Sequence, residues 1–541
     1  MKQNYRVNIR LENGEMLSIE GEVQETILET LAGHGIPCRA DCGGRGTCGK
    51  CKIRVTEGDL KPSVQDEKIF TQEELKAGYR LACKAVPEGE VSIVLCSLAE
   101  QDMKAVTENR FGDNFTFKAR ISENSEHSVM IDQAHAPEYM IAIDLGTTTL
   151  AFLLSEVSGG TVLSTYTLMN PQRAYGADVI SRIKASVDGK REVLQDIIKR
   201  ALRQGLQEVI HQSEVAPEAV TQLAIAGNTT MIHLLLGYSC ETLGVYPFLP
   251  VNKNTHRLSF GELFAGDGEL LQSMNRVPVL ILPGVSAFVG GDIVAGLAVC
   301  GFHSSESISL LIDLGTNGEL ALGNRDKLLV ASTAAGPAFE GGNISCGTGS
   351  IPGAVSRVEI EENAIRYETI ASKEPQGLCG TGVIELAAEL YRNGIVDDTG
   401  LLCEKYFSEG YPIEYKGKTA FTFLQKDIRE LQLAKAAVRA GVEVLLNHYG
   451  ITYEQVDRVY LAGGFGYYLN TEKAIQIGLL PEEWKDRITA VGNSSLAGAE
   501  QSACSREFVT LLEELAEKAQ EVQLSLSPDF NDLYLQHMSF H

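Results

Sequence analysis

Hydrophobic and polar residues alternate from the start of the chain. In "YRVNIRLENGEMLSIEGEV", Val7, Ile9 and Leu11 share one face, and the alternation resumes after the turn "ENGE", which predicts a β-hairpin. "QETILETLAGHG" changes period: Ile27, Leu28 and Leu31 form one helical stripe that ends at glycine. A cysteine-rich loop follows, and "CKIRVTEG" returns to the strand pattern, so residues 1–96 predict a small β-grasp domain. Residues 97–137 are weakly patterned, with "FTFKARIS" as one expected strand between exposed turns. They read as a linker with too few apolar residues to tie the front domain down, leaving it free to move. From Tyr139 the apolar runs lengthen. "YMIAIDLGTTTLAFLL" is a strand, a tight turn and a second strand, and "LLIDLGTNGELAL" repeats the device, with Asp144 and Asp313 at matching positions. Two such copies predict a duplicated, two-lobed α/β domain over 138–541. Lobe one is expected at about 138–296 and lobe two at about 297–490, with a return to lobe one over about 491–541.

The length of 541 residues agrees with several cores rather than one. With 44% hydrophobic and 22% charged residues, the composition is that of an ordinary globular protein. The apolar runs are too short to span a bilayer, and the first residues lack the apolar core of a secretion leader, so a cytoplasmic protein is expected. A net charge of −24 argues against a nucleic-acid surface and favours basic protein partners or small ligands. Six of the twelve cysteines fall in the first 96 residues and the rest are scattered singly, which is no disulfide framework. Trp484, in "PEEWKDR", is expected at the surface or at an edge, and His233, in "MIHLLLG", on a helix face rather than on a metal.

"CRADCGGRGTCGKC" concentrates the candidate redox chemistry. Cys42, Cys48 and Cys51 form C-x5-C-x2-C, and 31 residues separate Cys51 from Cys83. Four thiolates can hold zinc or an iron–sulfur cluster. Zinc sites usually pair their ligands as two C-x2-C knuckles, whereas three ligands in one glycine-rich loop and a distant fourth suit a [2Fe–2S] cluster. Glycines 43, 44, 46 and 49 let backbone N–H groups turn toward sulfur. Over residues 1–95 the pattern resembles the plant- and adrenodoxin-type ferredoxins. Cys38 fits that spacing less well and reads as a spare thiol, Cys96 as a small apolar filler, and Cys346 and Cys379 as too isolated to be ligands.

The repeated hairpin carries a second chemistry. A turn of glycine and hydroxyl residues can wrap phosphates with N–H and O–H donors, here Gly146, Thr147 and Thr148, and again Gly315, Thr316 and Asn317. The strand-end carboxylates Asp144 and Asp313 can hold Mg2+, largely through water, and are the candidate catalytic residues. Two facing hairpins resemble the acetate-kinase/sugar-kinase/Hsc70/actin superfamily of ATPases, with its duplicated ribonuclease-H-like lobes. The other segments of that superfamily follow in order. "LPGVSAFVGGDIVAGLA" and "VGNSSLAGAE" resemble its inter-lobe helices, and "VYLAGGFGYY", with Gly463 and Gly464, its adenosine motif. No GxxxxGK[ST] is present, which excludes a P-loop. The glycine-rich "AIAGNTTMIHLLLG" and "TAAGPAFEGGNISCGTGSIPGA" are expected near the γ-phosphate and along the cleft.

A ferredoxin domain joined to such an ATPase resembles one family over nearly the whole chain, the reductive activators of corrinoid proteins. The residues that carry the likeness are "CGGRGTCGKC", "RLAC", "IDLGTTT", "AGNTTM", "DLGTNGE", "AAGPAFEGG", "LAGGFG" and "GNSSLAGA". The resemblance implies a [2Fe–2S] cluster, ATP and Mg2+ as cofactors. It also implies ATP-dependent electron transfer to an inactive Co(II) corrinoid protein of a methyltransferase system, restoring Co(I). A low-potential electron donor is the second expected partner, with neither nucleic acid nor membrane, and a homodimer is allowed. Members can carry a further middle domain, for which the short connector leaves little room. A plant-type cluster lies near about −400 mV, and each ~59 mV of deficit costs a factor of ten, which gives ATP a purpose. Two other readings share these motifs: a redox-regulated small-molecule kinase, and a nucleotide-switched electron carrier.

Overall fold

Local chemistry starts the front domain. Thr26 accepts the Glu29 N–H at 3.2 Å while the Glu29 carboxylate accepts the Thr26 N–H at 2.9 Å. This capping box opens helix Ile27–Gly33 and contributes about 1 kcal/mol. The helix lays Ile27, Leu28 and Leu31 on Val7, Ile9, Ile53 and Ile93 of a five-stranded sheet. In that sheet Asn4–Arg10 pairs antiparallel with Met16–Glu22 and parallel with Val91–Leu95, which is the expected β-grasp arrangement. The computed structural model describes the whole chain except residues 1–3, 12–13, 37, 41, 97–137, 159, 265–271, 316, 362–363 and 541. The strand expected in "FTFKARIS" and the candidate Thr316 therefore lie outside the described residues.

The two apolar hairpins each found a six-stranded sheet. In the first, Tyr139–Leu145 pairs antiparallel with Thr149–Glu156 and parallel with Val220–Gly227. In the second, Ser309–Leu314 pairs antiparallel with Gly318–Gly323 and parallel with Arg458–Ala462. The shared pairing pattern is the duplication seen in the sequence. Central strands covered on both faces carry unbroken apolar runs, which is why no alternation marks them. Helices Arg191–Ser213 and Gln425–Tyr449 cover the outer faces.

Two shorter helices, Gly291–Val299 and Ser494–Cys504, fill the space between the sheets. Their contact has no room for larger residues: a Cβ on Gly498 would meet Ala295 Cβ at 2.4 Å, and one on Gly296 would meet Leu311 Cδ2 at 2.7 Å. Among the described residues no helix is long and apolar enough to cross a membrane.

Three expectations are corrected. The front domain is seated rather than loose. Ala174 is buried in its core cluster with Tyr175 packed beside it, Lys190 lies 3.8 Å from Glu29, and Arg200 donates to the Gly33 carbonyl. The contact leaves little trace in the sequence because part of it is made by the backbone of "RAYGAD" and the rest by scattered polar side chains and one tyrosine. The chain also does not finish on lobe one. Ser494–Cys504 packs between the lobes, but Gln520–Glu521 pairs with Leu328–Thr333 and Phe530–Gln536 packs on Gln425–Tyr449, both in lobe two. Finally, Trp484 is fully buried. Its charged neighbours belong to a one-turn helix that points only the indole inward, where Nε1–H donates to the Tyr453 carbonyl at 3.0 Å.

Trp484 is the only tryptophan, so its burial has a direct readout. Native fluorescence should resist quenching by acrylamide and become quenchable on unfolding. Trp484→Phe leaves a cavity and removes one of the two donors to the Tyr453 carbonyl, and should lower stability by about 1–3 kcal/mol in denaturant unfolding followed by circular dichroism. Ready quenching in the native state would contradict the buried position.

Candidate functional site

The turns of both hairpins face one cleft of about 2070 Å3 between the lobes. Asp144, Gly146, Thr147, Thr148, Asp313, Gly315, Asn317, Gly463 and Gly464 all line it. The first four of these and the next three lie in two segments far apart in sequence, on separate sheets whose hairpin turns face the same cleft.

The first turn is closed by the Gly146 N–H, which donates to the Thr149 carbonyl at 3.1 Å. A Cβ on Gly146 would meet that same oxygen at 2.5 Å. All three turn carbonyls are engaged by protein donors. Asn170 donates from Nδ2 to Gly146 O at 2.9 Å and from its backbone to Thr148 O at 2.8 Å, and Arg182 donates to Thr147 O at 2.6 Å. The Thr147 hydroxyl accepts from Asn228 at 2.9 Å, which leaves its own hydrogen for another acceptor. Across the cleft, Thr148 Oγ1 donates to Glu340 of lobe two at 2.9 Å. The second turn closes in the same way, with the Gly315 N–H donating to Asn317 O at 3.1 Å.

Four carboxyl groups gather where the hairpins meet. Asp144 is held on both oxygens from the start of an inter-lobe helix, by Asn493 at 2.9 Å and Ser495 at 2.7 Å. Asp313 stands opposite Glu319 in the second hairpin, and Asp292 begins the other inter-lobe helix. Enclosure by protein, reinforced by the neighbouring carboxylates, pushes Asp292 and Asp313 up to about 7 and raises Glu319 well above the usual range. Enclosure also raises Asp144, against the lowering effect of its Ser495 and Asn493 bonds. Crowded oxygen donors that repel one another are the donor set a hard divalent cation relieves. Asp292 and Glu319 were missed in the sequence. Each sits beside a glycine of a recognised motif ("GGD" and "NGE"), but only the fold carries it into the acidic group.

Beside Asp313, strand Arg458–Ala462 runs into helix Gly463–Tyr468. Gly463 has φ +79°, and a Cβ there would meet Asp313 Oδ1 at 2.5 Å, so the backbone lies directly against the carboxylate. Phe465 stacks on Phe339 with ring centres 5.0 Å apart, giving the cleft an aromatic wall.

The cysteine loop lies between strand Lys52–Glu57 and the first lobe. Cys42, Cys51 and Cys83 are buried and Cys48 is half-buried. The thiols stand as two pairs. Cys51 Sγ lies 3.3 Å from Cys83 Sγ, and the neighbouring Cys48 pulls Cys42 down to about 4. The Cys51 thiol is pushed up by its bond to Cys83 and by burial. The Lys50 N–H points at Cys48 Sγ at 3.4 Å, a donor of the kind that stabilises a thiolate. Among the described residues no three such side chains are already gathered as tightly as a metal centre. Two facing thiol pairs with backbone donors suit a binuclear cluster better than a single zinc ion. Cys346 and Cys379 are buried in lobe two, and both ring nitrogens of His233 are engaged, by Thr229 O and the Val251 N–H.

Known proteins match this arrangement segment by segment. Residues 11–88 match the 2Fe-2S iron-sulfur cluster binding domain, 139–305 the RACo middle region, and 307–541 the C-terminal domain of RACo, the ASKHA domain. The middle region is therefore the first lobe itself, and the short connector has no bearing on it. A corrinoid activation enzyme, RamQ, of Eubacterium limosum is 29% identical, with 96% of this chain and 97% of that protein covered. The [Co(II) methylated amine-specific corrinoid protein] reductase of Methanosarcina barkeri is 27% identical over 74% of this chain and 77% of its own. The solved structure of a reductive activator for corrinoid, iron-sulfur protein superposes with a TM-score of 0.68 at 29% identity, covering 99% of this chain and 98% of that one. Ferredoxin domain, middle region and ATPase domain thus follow one another along the full length as they do in these relatives, and the chain belongs to the family of reductive activators of corrinoid proteins.

Proposed function

We propose that the protein uses ATP to drive transfer of one electron from its [2Fe–2S] cluster to an inactive Co(II) corrinoid protein, restoring Co(I) for methyl transfer. The carrying observation is that the cysteine loop is seated on the lobe that supplies the first phosphate turn. A kinase with a separate redox sensor has no need of that contact.

Each residue then has a task. Cys42, Cys48, Cys51 and Cys83 hold the cluster, with Cys42 and Cys48 forming one ligand pair and Cys51 and Cys83 the other. Gly146, Thr147 and Thr148 take the phosphates from one side, and Gly315 and Asn317 from the other, with Thr316 assigned to the same turn from sequence alone. Asp144 and Asp313, joined by Asp292 and Glu319, hold hydrated Mg2+ at the cleft floor. Gly463 and Gly464 let the adenosine approach the backbone. When bound, the cluster supplies a one-electron carrier of low potential and Mg2+ supplies counter-charge to the phosphates. Asn493 and Ser495 keep Asp144 from turning, so the lobes present their carboxylates in a fixed relation. The Thr148–Glu340 bond ties the lobes across the cleft, and a phosphate that takes the Thr148 hydroxyl replaces a protein tie with a ligand-mediated one. The corrinoid protein and a low-potential donor are the partners. Opposite docking charges favour a basic patch on either, given the net charge of −24.

Phosphate release should rise when a Co(II) corrinoid protein is added, and no phosphorylated small molecule should accumulate; accumulation of one would favour the kinase. Asp144→Asn and Asp313→Asn should each reduce Mg-ATP hydrolysis by about a hundredfold or more while the visible spectrum of the cluster stays unchanged. Cys→Ser at 42, 48, 51 or 83 should do the reverse, losing or distorting that spectrum and the EPR signal of the reduced protein, whereas Cys38→Ser should leave both intact. Full hydrolysis by both aspartate variants would remove the carboxylates from the mechanism.

A further inference from the structure

The cysteine loop and the phosphate turn are joined by one short segment of the first lobe. At its start, Asn170 binds the carbonyls of Gly146 and Thr148 in the phosphate turn. At its end, residues 174–177 carry the cysteine loop: a Cβ on Gly43 would meet Ala177 N at 2.1 Å, and one on Gly44 would meet Ala174 O at 3.1 Å. Both ends are tied together by a single side chain. Arg182, on helix Val179–Ala185 and completely buried, donates from Nη2 to Thr147 O at 2.6 Å and from Nε to Gly176 O at 2.9 Å. Its Nη1 reaches Gln172 Oε1 at 3.4 Å and Met231 Sδ at 3.1 Å.

A buried guanidinium is expensive to desolvate, and its bonds here go to carbonyls, an amide and a thioether. Asp178 and Glu340 act on it only through their fields. Stability alone would be served as well by an apolar residue of similar volume. What an apolar residue lacks is the planar fork, which fixes three backbone and side-chain acceptors relative to one another.

We propose that Arg182 is a positioning residue that couples nucleotide occupancy of the first phosphate turn to the seat of the cluster-bearing loop. The proposal rests on the reading of that turn as a phosphate site. A phosphate that draws in Thr147 and Thr148 displaces the Thr147 carbonyl, and the rigid fork carries the displacement to Gly176, against whose backbone Gly43 packs without slack. Coupling of this kind is reciprocal: loosening the seat changes nucleotide affinity by the same factor by which nucleotide changes the seat.

The test uses the full-length, cluster-loaded protein with a non-hydrolysable Mg-ATP analogue. Amide hydrogen exchange is read in the loop 42–51, beside the analogue's Kd and the visible spectrum of the cluster. In the unaltered chain the analogue should change exchange of the loop by about fivefold or more. Arg182→Lys should bind the analogue and keep the spectrum but lose the loop response. A residue that served stability alone would lower the unfolding temperature and leave the response in place, which would overturn the proposal. Tyr175→Ala loosens the seat without touching the fork and should shift the analogue's Kd in the unaltered Arg182 background. This arm decides the matter alone where Arg182→Lys does not fold, and an unchanged Kd overturns the proposal. If the unaltered chain binds no analogue, the cleft reading falls and this proposal with it. If it binds but the loop response survives in Arg182→Lys, only the proposal falls.

Discussion

Everything in the large domain depends on how closely two helices can approach. Gly498 lies on Ala295 with no room for a Cβ, and this contact fixes the distance between two sheets that have no strand in common. The same helices begin at the cleft floor. One starts with the Asn493 and Ser495 side chains that grip Asp144, and the other places Asp292 in its first turn. A packing constraint between small residues therefore sets the spacing of the acidic groups, and the acidic groups set what the cleft can hold.

The cleft is held in an uncomfortable electrostatic state. Enclosure by protein raises the affinity of its carboxyl groups for protons, and mutual repulsion adds to it at Asp292, Asp313 and Glu319, although all four line the cleft. A divalent cation held among these carboxylates would relieve their repulsion. The front domain meets this assembly through the backbone of residues 174–177 and through Tyr175, Lys190 and Arg200, close to the first hairpin turn. Nucleotide chemistry and redox chemistry thus share a boundary rather than a long linker, which fits a device in which ATP changes how an electron is delivered.

Much of this was legible in the sequence where the signal was local. The cysteine spacing and the paired DLGT turns each reside in a few consecutive residues, and turn chemistry dictates them directly. A strand that ends in a double glycine announces close backbone approach, and in the fold it is the Asp313 carboxylate that stands against Gly463. Contacts made only by folding were not legible. Asp292 and Glu319 lie inside recognised motifs, but only helix packing and the pairing of Glu319 with Asp313 bring them toward Asp144. The seat of the front domain was invisible because Gly43 and Ala177 have almost no side chain to leave a pattern. Trp484 was misjudged because its neighbours in the chain are charged while its neighbours in space, Tyr453 among them, are not. The return of the last residues to lobe two depends on Lys435, whose ammonium binds the carbonyls of His537 and Ser539 from within a helix that otherwise reads as core.

The central claim is that the nucleotide lobes govern electron delivery to a corrinoid partner. It is tested most directly by following the growth of Co(I) absorbance in a Co(II) corrinoid protein mixed with the full-length, reduced protein under a fixed reductant, with and without Mg-ATP. The account predicts a markedly higher Co(I) yield with Mg-ATP, and no such gain in Asp313→Asn, although that variant still takes up its electron. Equal Co(I) yields with and without Mg-ATP in the unaltered protein would contradict it.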